Sequence, residues 1–386
     1  MYKMRMTPFD MAILNGTVID PVTGEKQTDV GIADGKISAI RKIDPSEAKV
    51  AVNASGCLVT PGLIDYHCHV NYGGDWASLP AEVYGPQNGV TTLVDAGSAG
   101  CGGYELFHRG TIVQNLMNIK AYIFIGSAGQ VGLGGIEDED PDKINEDEIC
   151  RLCRQYPNEI VGIKLKIDRD HCSEFGLEPL KAAVELGEKT GLRVSVHATD
   201  PAVPVKDILD ALRPGDIFCH MYHDWGEGIL SEDGTIKPEV LEARRRGVLF
   251  DAAHGKTKNF SLNVAQKAIQ QGFLPDIISS DYTRISLNAR YPFTLMLTEY
   301  LHLGMSFRDV LERCTTIPHQ LLTGQREELL AEGMPADVAV FRLDDTPSVL
   351  WDVYGGRMHS SQTLRAVMTI KEGMLVFDQM QDKYGT

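Results

Sequence analysis

The chain has 386 residues, 43% hydrophobic and 23% charged, with a formal net charge of −16. That length allows one large unit plus a smaller one, and a surface this acidic excludes nucleic acid and anionic membrane as partners. No apolar run is long enough to span a bilayer, the opening MYKMRMT lacks the apolar core of a leader peptide, and the eight cysteines are scattered apart from Cys150-x-x-Cys153 in a polar helical stretch; a reduced, cytoplasmic protein is expected.

From the N-terminus, residues 9 to 56 read as short strands, at 11–14, 16–19, 30–32 and 36–40, with Asp34-Gly35 as a hairpin turn. The pattern recurs at the other end, at 336–341, 366–370 and 374–377, with a turn at Lys371-Glu372-Gly373. Each end alone is a sheet with an apolar face it cannot bury, so one β-sandwich built from residues 1–56 and 331–386 is the economical solution. Between them, candidate strands at 57–64, 90–95, 119–126, 159–167, 192–198, 216–220, 247–253 and 276–281 alternate with helical spacing, as at 177–186, 240–246 and 264–269. Eight strand-helix units predict an α/β fold, a (β/α)8 barrel over residues 57–330. A doubly wound open sheet is the alternative, but no Gly-x-Gly-x-x-Gly follows the first strand.

Barrel enzymes carry their chemistry at the C-terminal strand ends. Here the first strand leads into Pro61-Gly62-Leu63-Ile64-Asp65-Tyr66-His67-Cys68-His69, in which His67 and His69 share one face. The fourth strand ends in Lys164 and Lys166, the fifth in His197, the sixth in His220, the seventh in His254 and the eighth in Asp281. Lys164 and Lys166 are two apart, so both can face inward. His220 ends its apolar run directly and is preferred to His223, which follows in a loop. His108, His171, His302, His319 and His359 are given no role.

The Pro61-Gly62-Leu63-Ile64-Asp65-x-His67-x-His69 stretch resembles the first-strand signature of the amidohydrolase superfamily, metal-dependent hydrolases on a (β/α)8 barrel. Val161-Gly162-Ile163-Lys164, Asp251-Ala252-Ala253-His254-Gly255 and Ser279-Ser280-Asp281-Tyr282 resemble its deacetylase-like branch, often labelled dihydroorotase or adenine deaminase. His67, His69 and Asp281 suit one divalent ion, and His197 and His220 a second. Nitrogen and oxygen donors favour zinc. The resemblance implies that Lys164 bridges the pair as a CO2-derived carbamate, and it selects Lys164 over Lys166.

Two divalent ions bring the pKa of a shared water to about 7, and Asp281 is expected to move its proton, worth about 10²–10⁴ in rate. The branch implies removal of an acetyl group from a small carboxylate-bearing hydroxy or amino acid. Lys166, His254 and Arg284, with Arg169 as a further cation, are the candidate substrate contacts. A dihydroorotase-like site would carry arginine where this chain has Asn71, so opening of a cyclic amide is the alternative, with deamination beside it. A metal-free structural homologue would lack ligands, whereas all six positions are filled. A small anionic molecule is the expected partner, and a homo-oligomer is compatible with the composition.

Overall fold

The computed structural model describes residues 7–130 and 139–380; residues 1–6, on which the leader-peptide expectation falls, lie outside them. Its centre is a seven-stranded parallel sheet: β1 (Leu63–Cys68), β2 (Val90–Gly100), β3 (Asn118–Phe124), β4 (Ile160–Lys166), β5 (Arg193–His197), β6 (Ile217–Cys219) and β7 (Leu249–Asp251). Each strand is bonded to its neighbours in sequence order, the arrangement that right-handed helical crossovers produce. Outward positions such as Val194, Val196 and Phe250 join one large apolar core with the crossover helices. Three of those helices, Glu178–Thr190, Pro238–Arg246 and Leu262–Gln270, realise the expected helical stretches.

Two expected strands differ. The run 57–64 is not one strand. Leu58–Pro61 pairs antiparallel with Val338–Asp344, and only from Leu63 does the chain enter the central sheet beside Val90. Pro61 has no N–H to continue a ladder, and the Gly62 N–H goes to the Asp337 carbonyl at 2.8 Å. The eighth expected strand, 276–281, forms bridges rather than a ladder: Ile277 faces Asp251 and Tyr282 faces Cys68. The cause is local. Asp281 has φ +46°, off the pleat, and Ser280 gives its N–H to the Asp65 side chain. The segment still bonds both sheet edges, with Ala252 N–H donating to Ile277 O at 3.0 Å and Asp281 N–H donating to His67 O at 2.7 Å.

The chain ends form two further sheets. One combines Thr17–Asp20, Gly24–Gln27 and Leu58–Pro61 with Val338–Asp344, Thr363–Lys371 and Met374–Asp378; the other holds Phe9–Leu14, Val30–Ala33, Lys36–Ile40 and Ala48–Asn53. Ile13, Val30, Ile32 and Ile37 of the second share one apolar cluster with Val59, Val338, Val340 and Ile370 of the first. A hairpin that the sequence did not announce, Ser348–Trp351 with Arg357–Ser360, pairs only with itself. It leans on the loop after β7: Asp352 accepts the Leu262 N–H at 2.7 Å, and Lys256 Nζ donates to the Trp351 carbonyl.

Candidate metal centre

At the C-terminal ends of the parallel strands lies a cavity of about 560 Å³, lined by His67, His69, Lys164, His197, His220 and Asp281 together with Lys166, Asn259, Lys256 and Trp76. How each side chain reaches it follows from strand geometry. A register shift between Asp65 and Cys68 turns His67 inward, and alternation brings His69 back to the same side while Cys68 packs outward, its thiol 3.6 Å from the Val94 carbonyl. In β4 and β5 simple alternation points Lys164 and His197 inward. The same count along β6 puts Cys219 inside and His220 outside, but His220 has φ +61° and so swings into the cavity. Gly97 in β2, φ +86°, makes room for the lysine: a Cβ there would lie 2.7 Å from Lys164 Cβ.

The histidines are oriented from behind. His67 Nδ1 is 3.4 Å from Asp251 Oδ2, and its Nε2 is 3.7 Å from Asp281 Oδ1. His69 Nδ1 donates to Ser98 Oγ at 2.8 Å, because that hydroxyl gives its own proton to Asp95; His69 Nε2 lies 3.3 Å from Asp281 Oδ1. His220 Nδ1 donates to the Ala253 carbonyl at 2.7 Å, leaving the Nε2 lone pair for the cavity. His197 Nε2 is buried without a hydrogen-bond partner, and its ring centroid is 4.4 Å from that of His220. Backing of this kind fixes the tautomer of metal-binding imidazoles.

Charge follows the same logic. Burial, then the Lys164 ammonium, holds His67 well below the ordinary imidazole range. Burial, then His220, does the same for His197, and burial takes His220 to about 3. For Asp281 burial works upward, but hydrogen bonding from His69 and the other imidazoles outweigh it and hold the carboxyl well below its usual value. For His69 burial works downward, but the Asp281 carboxylate outweighs it and raises the imidazole. Neutral His67, His197 and His220 beside an ionised carboxylate, with His69 giving up its proton to an ion, are the donor set of a borderline divalent cation. Donor atoms of His67, His69 and Asp281 all lie within 4.8 Å of one another. Those of His67, Cys219 and Asp251 do too, but the Asp251 carboxylate already accepts from Ser279 and the Ala253 N–H, and burial pushes the Cys219 thiol up to about 11. The first trio is therefore the better placed of the two to hold a metal ion. The His197 Nε2, with no hydrogen bond and the Asp168 carboxylate 3.8 Å away, is a second observation that fits an ion, since buried polar atoms without hydrogen bonds are rare.

Three expected substrate contacts divide. Lys166 lines the cavity. His254 does not: alternation in β7 sends Asp251 and Ala253 inward and His254 outward. Its Nδ1 bonds the Gly255 carbonyl at 2.7 Å, its Nε2 bonds Glu299, and its ring stacks on Phe260 at 3.8 Å. Arg284 also turns away; its Nε donates to Ser78 O at 3.0 Å and its guanidinium sits over Tyr72. Arg169 lies against Asp200. His223 is buried outside the cavity wall, and Asn71 packs on Gly74 in a turn that also stays out of the lining. Sequence reasoning missed Asp251, Ser98 and Asn259. The period of two in β7 could have found Asp251, but nothing local marks Asn259.

No family model matches the chain. It is 31% identical to a deacetylase of Brucella anthropi over 315 residues, 81% of this chain and 78% of that one. It is 30% identical to a deacetylase of Agrobacterium fabrum over 348 residues, 88% of this chain and 85% of that one. Among solved structures, one described as a dihydroorotase superposes with a TM-score of 0.88 at 26% identity, covering 95% of this chain and 97% of that one.

Proposed function

The chain belongs to the amidohydrolase superfamily and is one of its hydrolytic enzymes; from that premise we propose that it removes an acetyl group from a small carboxylate-bearing substrate, an O-acetyl hydroxy acid or an N-acetyl amino acid. The observation that carries the reading is the convergence of buried His67, His69, Asp281 and His220, with half-buried His197, around Lys164 in one cavity. The deacetylases it resembles along most of their length support the acetyl group.

His67, His69 and Asp281 would hold one divalent ion and His197 and His220 a second, zinc in both cases. Lys164 is 1% exposed, and its Nζ donates to Cys219 Sγ at 3.6 Å. A carbamate on that nitrogen replaces a buried cation among imidazoles by an anion, which suits the space between two cations. When bound, such ions polarise a carbonyl and bring the pKa of a water to about 7. The chain's own residues do the rest. Asp281 takes the proton of the attacking water and hands it to the departing oxygen or nitrogen, so the acyl bond breaks as the leaving group is neutralised. Lys166, at the cavity wall, pairs with the substrate carboxylate. Asn71 offers no guanidinium for a cyclic ureide acid, which disfavours the dihydroorotase reaction.

The same reading takes 276–282 as the eighth stave of a (β/α)8 barrel, supported by its bonds to β7 and β1. It takes residues 1–56 and 331–386 as one β-sandwich beside the unit 57–330, with Leu58–Pro61 lent to the sandwich. Among the described residues no helix is long and apolar enough to cross a membrane, and the eight cysteines are free; both suit a cytoplasmic enzyme of small anionic molecules. The test is kcat/KM on one metal-loaded preparation for acetylated hydroxy acids, acetylated amino acids and dihydroorotate. Turnover of an acetylated acid is expected. Efficient opening of dihydroorotate with acetylated acids inert would overturn the assignment.

A further inference from the structure

The two oxygens of the Asp281 carboxylate have different surroundings. Oδ1 faces His69 and His67. Oδ2 accepts a hydrogen bond from Asn259 Nδ2 at 2.8 Å, and Asn259 Oδ1 accepts from Thr199 Oγ1 at 3.0 Å. Both partners are buried, Asn259 at 5% exposure and Thr199 at 0%. The amide can stand only one way round: reversed, it would set a carbonyl oxygen against a carboxylate oxygen, whereas the Thr199 hydroxyl can donate to the side it faces. On the other flank is Gly255, φ +58°, where a side chain would meet Asp281 Oδ2 at 2.7 Å. The loop after β7 therefore closes around one carboxylate oxygen, and the residue after β5 braces that loop.

A carboxylate on a short stem turns easily, because the torsion about Cβ–Cγ is broad and nearly two-fold. Rotation would exchange the oxygen that faces the histidines with the one bonded to Asn259, and Asp281 already sits in a left-handed backbone conformation that does not hold itself. We propose that Asn259, braced by Thr199, is a positioning residue that locks this rotation. The lock keeps Oδ1 on the histidine side and leaves one lone pair of Oδ2 open for the proton that Asp281 moves. The amide is neutral, so it orients the carboxylate without protonating it. This inference rests on the metal-site reading above.

The test uses the full chain loaded with cobalt(II), with its visible spectrum and affinity as readouts beside turnover. Asn259→Ala should weaken cobalt binding by about 10–100-fold and change the spectrum, as loss of a residue backing a ligand does. Thr199→Val should act in the same direction more weakly, and the double variant should be no worse than Asn259→Ala alone, because the two residues act in series. In turnover the loss should fall on kcat with KM little changed. A spectrum and affinity unchanged in Asn259→Ala would overturn the proposal, and so would a loss confined to KM, which marks a substrate contact. Should Asn259→Ala fail to fold, Thr199→Val decides by the same readouts, an unaltered spectrum counting against the proposal. Asp281→Ala separates the two claims. If cobalt binding ignores Asp281, the metal reading falls and takes this inference with it; if it depends on Asp281 but not on Asn259, only the lock falls.

Discussion

Replacing Lys164 with methionine should stabilise the ion-free protein and destabilise the loaded one. Lys164 is 1% exposed, its Nζ is 3.6 Å from a thiol, and its charge bears on His67, His197 and His220. Among the described residues no carboxylate is paired with it. Methionine has similar length and no charge, so it fills the slot against Gly97 without the ammonium. Exchanging buried charge for well-packed apolar atoms is worth about 1–4 kcal/mol. In the loaded protein the sign reverses once the lost ion outweighs that gain: an ion at about 1,000 times its dissociation constant adds about 4.1 kcal/mol, and the variant has no bridge with which to hold the second ion. Thermal melts in chelator, then in zinc with bicarbonate, show the crossing, with shifts of roughly 2 °C or less per kcal/mol in a chain of this size. Lys164→Met should melt above the unmodified protein in chelator and below it with zinc. If it melts lower in chelator, or gains as much from zinc, the buried lysine is not the bridge.

Lys166→Ala should keep its metals, fold normally and raise KM by about tenfold, the loss expected for one half-buried charge partner; loss of metal instead would show that the bridging lysine was misassigned. Burial pushes the His223 imidazole down to about 4 from 6.5, and its Nε2 is buried without a partner. The unfolded chain then binds more protons than the folded one between those two values. The stability contribution is complete above pH 6.5 and is lost as pH falls toward 4, on the order of 3 kcal/mol in all. His223→Asn, melted in chelator so that metal release does not intervene, should flatten that slope. An unchanged slope would place the acid sensitivity elsewhere.

Where a side chain's direction follows from local periodicity, the sequence was enough to place it. Lys164 and His197 reach the cavity by strand alternation alone, and alternation puts His69 on the side of His67, which a register shift in β1 turns inward. His220 reaches it through a left-handed residue that alternation does not anticipate; the sequence pointed to it only because the histidine ends the apolar run. His254 shows the opposite case. It lies in a motif that attracted attention, but the period of two places Asp251 on the cavity side and His254 among the helices. Arg284 was judged by charge and position past a strand, whereas its direction is set by the Ser78 carbonyl, 206 residues earlier in the chain. Asn259, Thr199 and the 348–360 hairpin act through contacts 22 to 95 residues apart, for which the sequence holds no local sign. The split of the first strand was equally hidden, because Leu58–Pro61 and β1 are both apolar, and only the partner 280 residues on, Val338–Asp344, separates them.

The account stands most directly on two divalent ions held together in this cavity. Anomalous diffraction at the zinc edge, from protein reloaded with zinc and bicarbonate, locates them without reference to any substrate. The expected map has two peaks near full occupancy, one against His67, His69 and Asp281, the other against His197 and His220, with density on Lys164 Nζ between them. A single peak with bare His197 and His220, or no peak at all, would contradict it.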